Sequence, residues 1–299
     1  MTGAADGTAV VLMAYGSPSR PEDIPAYFRD IRGGRPVSQD AIDELAERYR
    51  RIGGGSPLNE ITERQRAALE RELGVPVEVG MKHWRPRIEE AAERVLAAGA
   101  ERIVGLVLAP HYSRLSIGAY RERLEQALGS RAELLFVESW HDHEPFLDVL
   151  ADRIRGTGAH VVFTAHSLPA RILTENDPYR DQLLETSRLV ADKAGVETWS
   201  FAFQSESPTG EPWLGPDILD ELERLHAEGA GEVLVAPVGF VSDHLEILWD
   251  LDVEAGEKAA ALGLGLERIE SLNDDPAFIA VLAALVREVS RERSRIEAS

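Results

Sequence analysis

The sequence predicts an α/β protein made of two doubly wound domains with parallel sheets. Three observations lead there: short apolar runs without alternation, helical patterns between them, and recurrence of both in the two halves of the chain. VVLMAYGSP (residues 10–18) pairs with VVFTAHSLP (161–169), and AGAERIVGLVLAPHYS (98–113) pairs with EGAGEVLVAPVGFVS (228–242). Runs of four to eight apolar residues fit strands buried on both faces, as in a parallel sheet. Helical patterns at 88–98 and 218–227 stand between such runs, and Gly99 and Gly229 end them. Strand and helix in alternation mean right-handed βαβ units.

The repeat sets the expected organisation. Residues 1–140 form the N-terminal domain and 141–276 the C-terminal one. A helix at about 277–299, apolar on one side over 281–293, packs back on the first. In open parallel sheets ligands bind beyond the carboxyl ends of the strands. Tyr15 and His166 each follow the first strand of their half. If the domains face one another, a flat ligand in the cleft between them meets a phenol on one side and an imidazole on the other.

Composition narrows the chemistry. The 299 residues exceed one small core and suit two domains. Fifty-two acidic against 32 basic residues leave a net charge of −20, which argues against nucleic acid and anionic lipid as partners. Cysteine is absent, so disulfides, thiolate nucleophiles and cysteine-ligated iron–sulfur clusters are excluded. No basic segment followed by an apolar one opens the chain, and the longest apolar stretch, 103–110, falls far short of a bilayer span. The expectation is a cytoplasmic protein without a transmembrane segment, monomeric by default.

The residues able to carry chemistry are His, Tyr, Ser, Arg and carboxylates. A lone His such as His166 is more often a satisfied structural residue, yet a neutral imidazole also ligates borderline divalent metals and accepts protons near neutrality. Glu246, Asp250 and Glu254 recur every four residues, with Asp243 and Glu257 extending the same stripe. Like charges at that spacing cost about 0.2–0.5 kcal/mol per pair. The row is either a solvated face or a carboxylate track that hands a hydrated divalent cation inward. Gly53, Gly54, Gly55 and Ser56 lack the GxxxxGK[ST] pattern, so a hinge or a close approach to a flat ligand replaces a phosphate loop. His141, Asp142, His143 and Glu144 are a dense potential ligand set at the domain junction, read as a surface loop.

MAYGSP, IGGGSPLNEITERQ, MKHWRP, LAPHYS, VESWHD, AHSLP, DPYRDQL, QSESPTGEPWLGPD and PVGFVSDHLEILWDLDVE, in that order, resemble the ferrochelatase family over nearly the whole chain. The likeness is greatest to the coproporphyrin-using ferrochelatases of monoderm bacteria. The resemblance implies a chelatase fold of two Rossmann-like domains with four-stranded parallel sheets and a porphyrin cleft between them. The implied reaction is insertion of ferrous iron into coproporphyrin III in haem biosynthesis. Iron is then a substrate, no bound cofactor or cluster is required, and porphyrin, ferrous iron and neighbouring haem-pathway enzymes are the partners. The resemblance makes His166 and Glu246 the catalytic metal-site pair, Tyr15 the residue axial to the product iron, and Asp250 and Glu254 an outer metal site on a helix of π character. It gives porphyrin binding to Tyr15, Arg32, Arg48, Tyr49, Ser56 and Tyr120, with Lys82 and His83 in support. The rival readings are a protoporphyrin IX ferrochelatase, a cobalt or sirohydrochlorin chelatase, and a noncatalytic tetrapyrrole carrier, which has no use for the row headed by Glu246.

Overall fold

A computed structural model describes residues 7–207 and 210–297; Pro208 and Thr209 of the QSESPTGEPWLGPD motif and the chain end at Ser299 lie outside them. The chain divides into two compact units. Unit 1 holds residues 1–109, 114–140 and 272–299, and unit 2 holds 110–113 and 141–271.

Unit 1 is built on β1 (Thr8–Ala14), β2 (Val77–Met81), β3 (Arg102–Val107) and β4 (Glu133–Val137). They form one parallel sheet in the order β2-β1-β3-β4. Its helices are α1 (Ile24–Ile31), α2 (Gln39–Arg51), α3 (Leu58–Leu73), α4 (Ile88–Ala97) and α5 (Ala119–Leu128). Unit 2 carries α6 (Glu144–Ile154), β5 (His160–His166), α7 (Tyr179–Ala194), β6 (Trp199–Gln204), α8 (Ile218–Ala227), β7 (Glu232–Ala236), α9 (Gly256–Leu262) and β8 (Gly265–Arg268). Its parallel sheet runs β6-β5-β7-β8, the same order as in unit 1.

The duplicated motifs fall on matching places. Val10 pairs with Val77 and Val104, and Val161 pairs with Trp199 and Leu234. Both central strands, β1 and β5, are buried along almost their whole length, which is why neither alternates in sequence. Gly99 and Gly229 follow α4 and α8 with φ of 84° and 86°, a left-handed conformation that a Cβ disfavours. After β3 and β7, each unit opens its next helix with a π segment, Arg114–Gly118 in unit 1 and Ile247–Ala255 in unit 2. The helix repeat thus extends to a rare backbone form, and the one that carries Asp250 and Glu254 has the π character expected of it.

The terminal helix, α10 (Pro276–Glu297), belongs to unit 1, where it packs on α3 and β4. Its Phe278 and Leu282 are fully buried, and Phe278 lies 6.1 Å from the Trp140 ring. Residues 110–113, at the end of the LAPHYS motif, group with unit 2 because α7 holds them. Tyr112 N donates to Gln182 Oε1 at 2.7 Å, His111 Nε2 bonds Thr186 Oγ1 at 2.9 Å, and Ser113 Oγ donates to Asp177 Oδ2 at 2.9 Å. Among the described residues no helix is long and apolar enough to cross a membrane.

Candidate active site

The chemistry of unit 2 gathers at the carboxyl ends of β5, β6 and β7. His166 is the last residue of β5. Its backbone carbonyl accepts from the Tyr179 phenol at 2.9 Å, and its Nδ1 bonds the Ser167 carbonyl. A carbonyl only accepts, so Nδ1 carries a proton and Nε2 is the ring's remaining site for a proton or a metal. That atom stands 3.6 Å from Glu246 Oε1. The second Glu246 oxygen, Oε2, stands 3.6 Å from His244 Nε2, and His244 Nδ1 bonds the Ser242 carbonyl at 2.9 Å. One carboxylate is therefore bracketed by two imidazoles that each turn Nε2 towards it. Trp213 and Phe240 lie 6.3 and 6.5 Å from the His166 ring and form apolar walls.

Glu246 is placed by its backbone. It caps the π helix, and its carbonyl accepts from Gln204 Nε2 at 3.1 Å, while Gln204 Oε1 accepts from Thr164 Oγ1 at 3.0 Å. The loop from β7 reaches β5 through Gly239, whose N donates to the Thr164 carbonyl at 3.1 Å. A Cβ on Gly239 would sit 2.4 Å from the Ala165 Cβ, so only glycine lets this loop approach the strand that carries His166.

The two inner carboxylates are split in acidity. Burial works to raise Glu246, but the His166 and His244 imidazoles and the Ser205 hydroxyl outweigh it and hold the group at about 2. Asp250, almost fully buried, is pushed up to about 7 by burial first and by the charge of Glu246 second. Ser205 donates to Asp250 Oδ2 and also touches Glu246. Ser205 holds a φ of 65°, an uncommon conformation for a residue with a side chain, at the point where β6 ends. Farther along, Glu254 acts with Asp220 and Glu206 on Asp217, which burial pushes up. Pairs of acids driven apart in this way divide into a charged group and a proton holder.

The pH dependence of stability follows with a definite sign. Asp250 keeps its proton in the folded protein where the unfolded chain has lost it, so its contribution is present below about pH 4 and is lost as pH rises through about 7. The loss amounts to about 4 kcal/mol. Asp250→Asn removes the charge that must be buried at high pH. Guanidinium unfolding is expected to show the advantage of the variant over wild type larger at pH 8 than at pH 5 by about 2–3 kcal/mol. An equal change at both pH values would contradict the assignment.

The stripe predicted around this row needs one correction. Asp243 does not extend it: Asp243 Oδ1 accepts from Ser271 Oγ at 2.6 Å and faces Arg268 at 3.4 Å. Helical backbone starts only at Leu245, so i, i+3 arithmetic does not apply to Asp243. In the 141–144 segment, read as a surface loop, His141 bonds Glu185 at 3.1 Å, while Lys193 takes Glu144 and Asp148. Among the described residues no three His, Asp or Glu side chains are grouped to hold a metal ion.

Unit 1 places its predicted residues in two groups. Tyr15, 40% exposed, lies just beyond β1 with its ring 4.6 Å from that of His83. His83 stands two residues beyond β2; its Nδ1 bonds Asp30 Oδ2 at 2.9 Å, and Arg87 Nη2 donates to Asp30 Oδ1 at 2.8 Å. Lys82 Nζ lies 5.1 Å over the Tyr120 ring and is pushed down to about 8, by burial first and by Arg123 second. Tyr120 is buried, which raises its phenol far above the ordinary value. The second group lies on α1 to α3. Arg32 caps α1 with its guanidinium 6.0 Å over Phe28, Arg48 pairs with Glu44 at 2.8 Å, and Ser56 Oγ accepts from Leu58 N at 3.3 Å. Tyr49 is buried, its hydroxyl 3.0 Å from Ser17 Oγ.

Sequence reasoning did not single out His244, Ser205, Gln204, Asp30 or Tyr179. His244 had a usable signal, since it lies two residues before Glu246 inside a motif already quoted.

Comparison with known proteins identifies a family. The model of the family described as ferrochelatase matches residues 7–290. A ferrochelatase of Herpetosiphon aurantiacus is 43% identical over 298 residues, covering 93% of this chain and 98% of the relative. A coproporphyrin III ferrochelatase of Geobacillus kaustophilus is 42% identical over 298 residues, covering 93% and 94%. The solved structure of SirB from Bacillus subtilis with Fe3+ matches with a TM-score of 0.62 at 12% identity, covering 94% of this chain and 95% of that one, a likeness of fold. With the family matched across both duplicated units, the chain belongs to the ferrochelatases, the enzymes that insert iron into porphyrins.

Proposed function

We propose that this chain inserts ferrous iron into coproporphyrin III, with His166 and Glu246 receiving the metal. The observation that carries the reading is the 3.6 Å separation of His166 Nε2 and Glu246 Oε1. Two ligands about 2.1 Å from one ion and roughly 109–120° apart stand about 3.4–3.6 Å from each other. The pair therefore fits one ion without rearrangement, and imidazole with carboxylate suits Fe²⁺.

Metallation must also strip water from the ion and remove two pyrrole protons. Bending the ring exposes its nitrogen lone pairs, at a strain of about 1–5 kcal/mol drawn from contacts remote from the nitrogens. Arg32, Arg48, Ser56 and the hydroxyls near them supply such contacts to propionates, which a guanidinium fork holds bidentately. His166 Nε2 and Glu246 accept protons. Asp250, poised at about 7, donates to Ser205 when protonated, which frees the Ser205 hydroxyl for Glu246 and links the pair to a proton holder. Asp250 and Glu254 offer oxygen ligands of the kind that attract a hydrated divalent cation without holding it.

The choice of coproporphyrin III draws support from the Geobacillus relative of that name. Anaerobic Fe²⁺ insertion into coproporphyrin III and protoporphyrin IX, compared side by side, is expected to favour the first by at least about tenfold in kcat/KM. Preference for protoporphyrin IX would overturn the substrate, and porphyrin binding without insertion would leave a tetrapyrrole carrier.

A further inference from the structure

Asp30 lies in the last turn of α1, where a negative charge meets the negative end of the helix dipole. Such a placement calls for donors close by. Arg87 Nη2 at 2.8 Å and His83 Nδ1 at 2.9 Å supply them, one to each carboxylate oxygen. Burial works to raise Asp30, and these two bonds keep it below its ordinary value, so it is ionised near neutrality. An ionised carboxylate only accepts. Nδ1 of His83 therefore carries the proton, and the neutral ring has its lone pair at Nε2.

The ring is fixed on several sides. The His83 backbone N donates to the Tyr15 carbonyl at 2.9 Å, and its ring rests against the Tyr15 ring at an interplanar angle of 53°. Arg87 caps α4, so the carboxylate that holds His83 is itself tied to a second helix. His83 is 17% exposed and Nε2 bonds no described residue, so one acceptor of defined direction is left at the carboxyl end of this sheet.

We propose that Asp30 is a positioning residue that fixes the tautomer of His83, so that Nε2 accepts a hydrogen bond from a central N–H of the porphyrin. A free-base macrocycle carries two such N–H groups and a metallated one carries none. The inference rests on the ferrochelatase reading and adds to it how unit 1 distinguishes unmetallated substrate. In Asp30→Asn the side-chain amide can either accept from Nδ1 or donate to it, and the tautomer is no longer enforced.

Two measurements test this on the folded full chain. Ring ¹⁵N shifts of His83 are expected to report the Nδ1–H tautomer in wild type and in Asp30→Glu, and a mixture in Asp30→Asn. Fluorescence titration is expected to show free-base coproporphyrin III bound about threefold to tenfold more weakly by Asp30→Asn than by wild type, with Asp30→Glu restoring most of the loss. Square-planar copper(II) coproporphyrin III, which has no N–H, should bind all three proteins alike. An Nε2–H tautomer in wild type, or equal weakening of both porphyrins, would overturn the proposal. If wild-type protein binds free-base porphyrin but inserts no iron, the enzymatic reading fails while the positioning result stands.

Discussion

Glu246→Gln is expected to lower kcat for Fe²⁺ insertion by about 10²–10⁴ while leaving porphyrin affinity within about threefold. The amide keeps the size of the side chain but removes the charge that faces His166 and His244 at 3.6 Å each. It loses three functions together: an anionic oxygen for the metal, a proton acceptor, and the negative charge that helps hold the proton on Asp250. The last effect gives a second readout, since the Asp250 carboxyl should titrate at lower pH in the variant. Anaerobic insertion assays and porphyrin fluorescence check the first two numbers. A rate within about threefold of wild type would remove Glu246 from the chemistry.

Gly239→Ala is expected to destabilise unit 2 by about 3 kcal/mol or more, near or beyond the upper end for an overpacked site. The added Cβ would stand 2.4 Å from the Ala165 Cβ and 2.9 Å from its Cα, and backbone of a central strand has no rotamer by which to yield. Relief must come from moving the β7 loop outward, and with it Phe240, His244 and Glu246. Stability and insertion rate should fall together, with the melting temperature lowered by about 6–12 °C. A melt within about 2 °C of wild type would mean that the loop and β5 are less tightly packed than described.

How far the fold was legible depended on whether a feature was written locally. The apolar runs that became β1 and β5 are legible because burial on both faces leaves no room for alternation. Gly99 and Gly229 are legible because few other residues hold a left-handed helix exit. The allegiance of residues 110–113 to unit 2 was not legible, since it rests on Thr186, Gln182 and Asp177, more than sixty residues away in sequence. The site divides in the same way. His166 and Glu246 sit in long motifs of unusual composition. Ser205 acts through its backbone conformation, and Asp30 through partners on two other elements, so neither leaves a periodic trace. Asp243 departs from the expected stripe because the helical spacing of three residues between it and Glu246 reaches past the point where the helix begins.

The course of α10 has a consequence for synthesis of the chain. Unit 2 is complete once Ser271 has left the ribosome, whereas unit 1 still lacks the segment that buries Phe278 and Leu282 beside Trp140 and α3. The half that is translated first is thus closed last. Vectorial folding ordinarily favours the N-terminal domain. Here the nascent N-terminal half carries an uncovered apolar seam until α10 emerges. The Tyr15, His83 and Asp30 wall is therefore finished only after His166 and Glu246 have their own sheet beneath them.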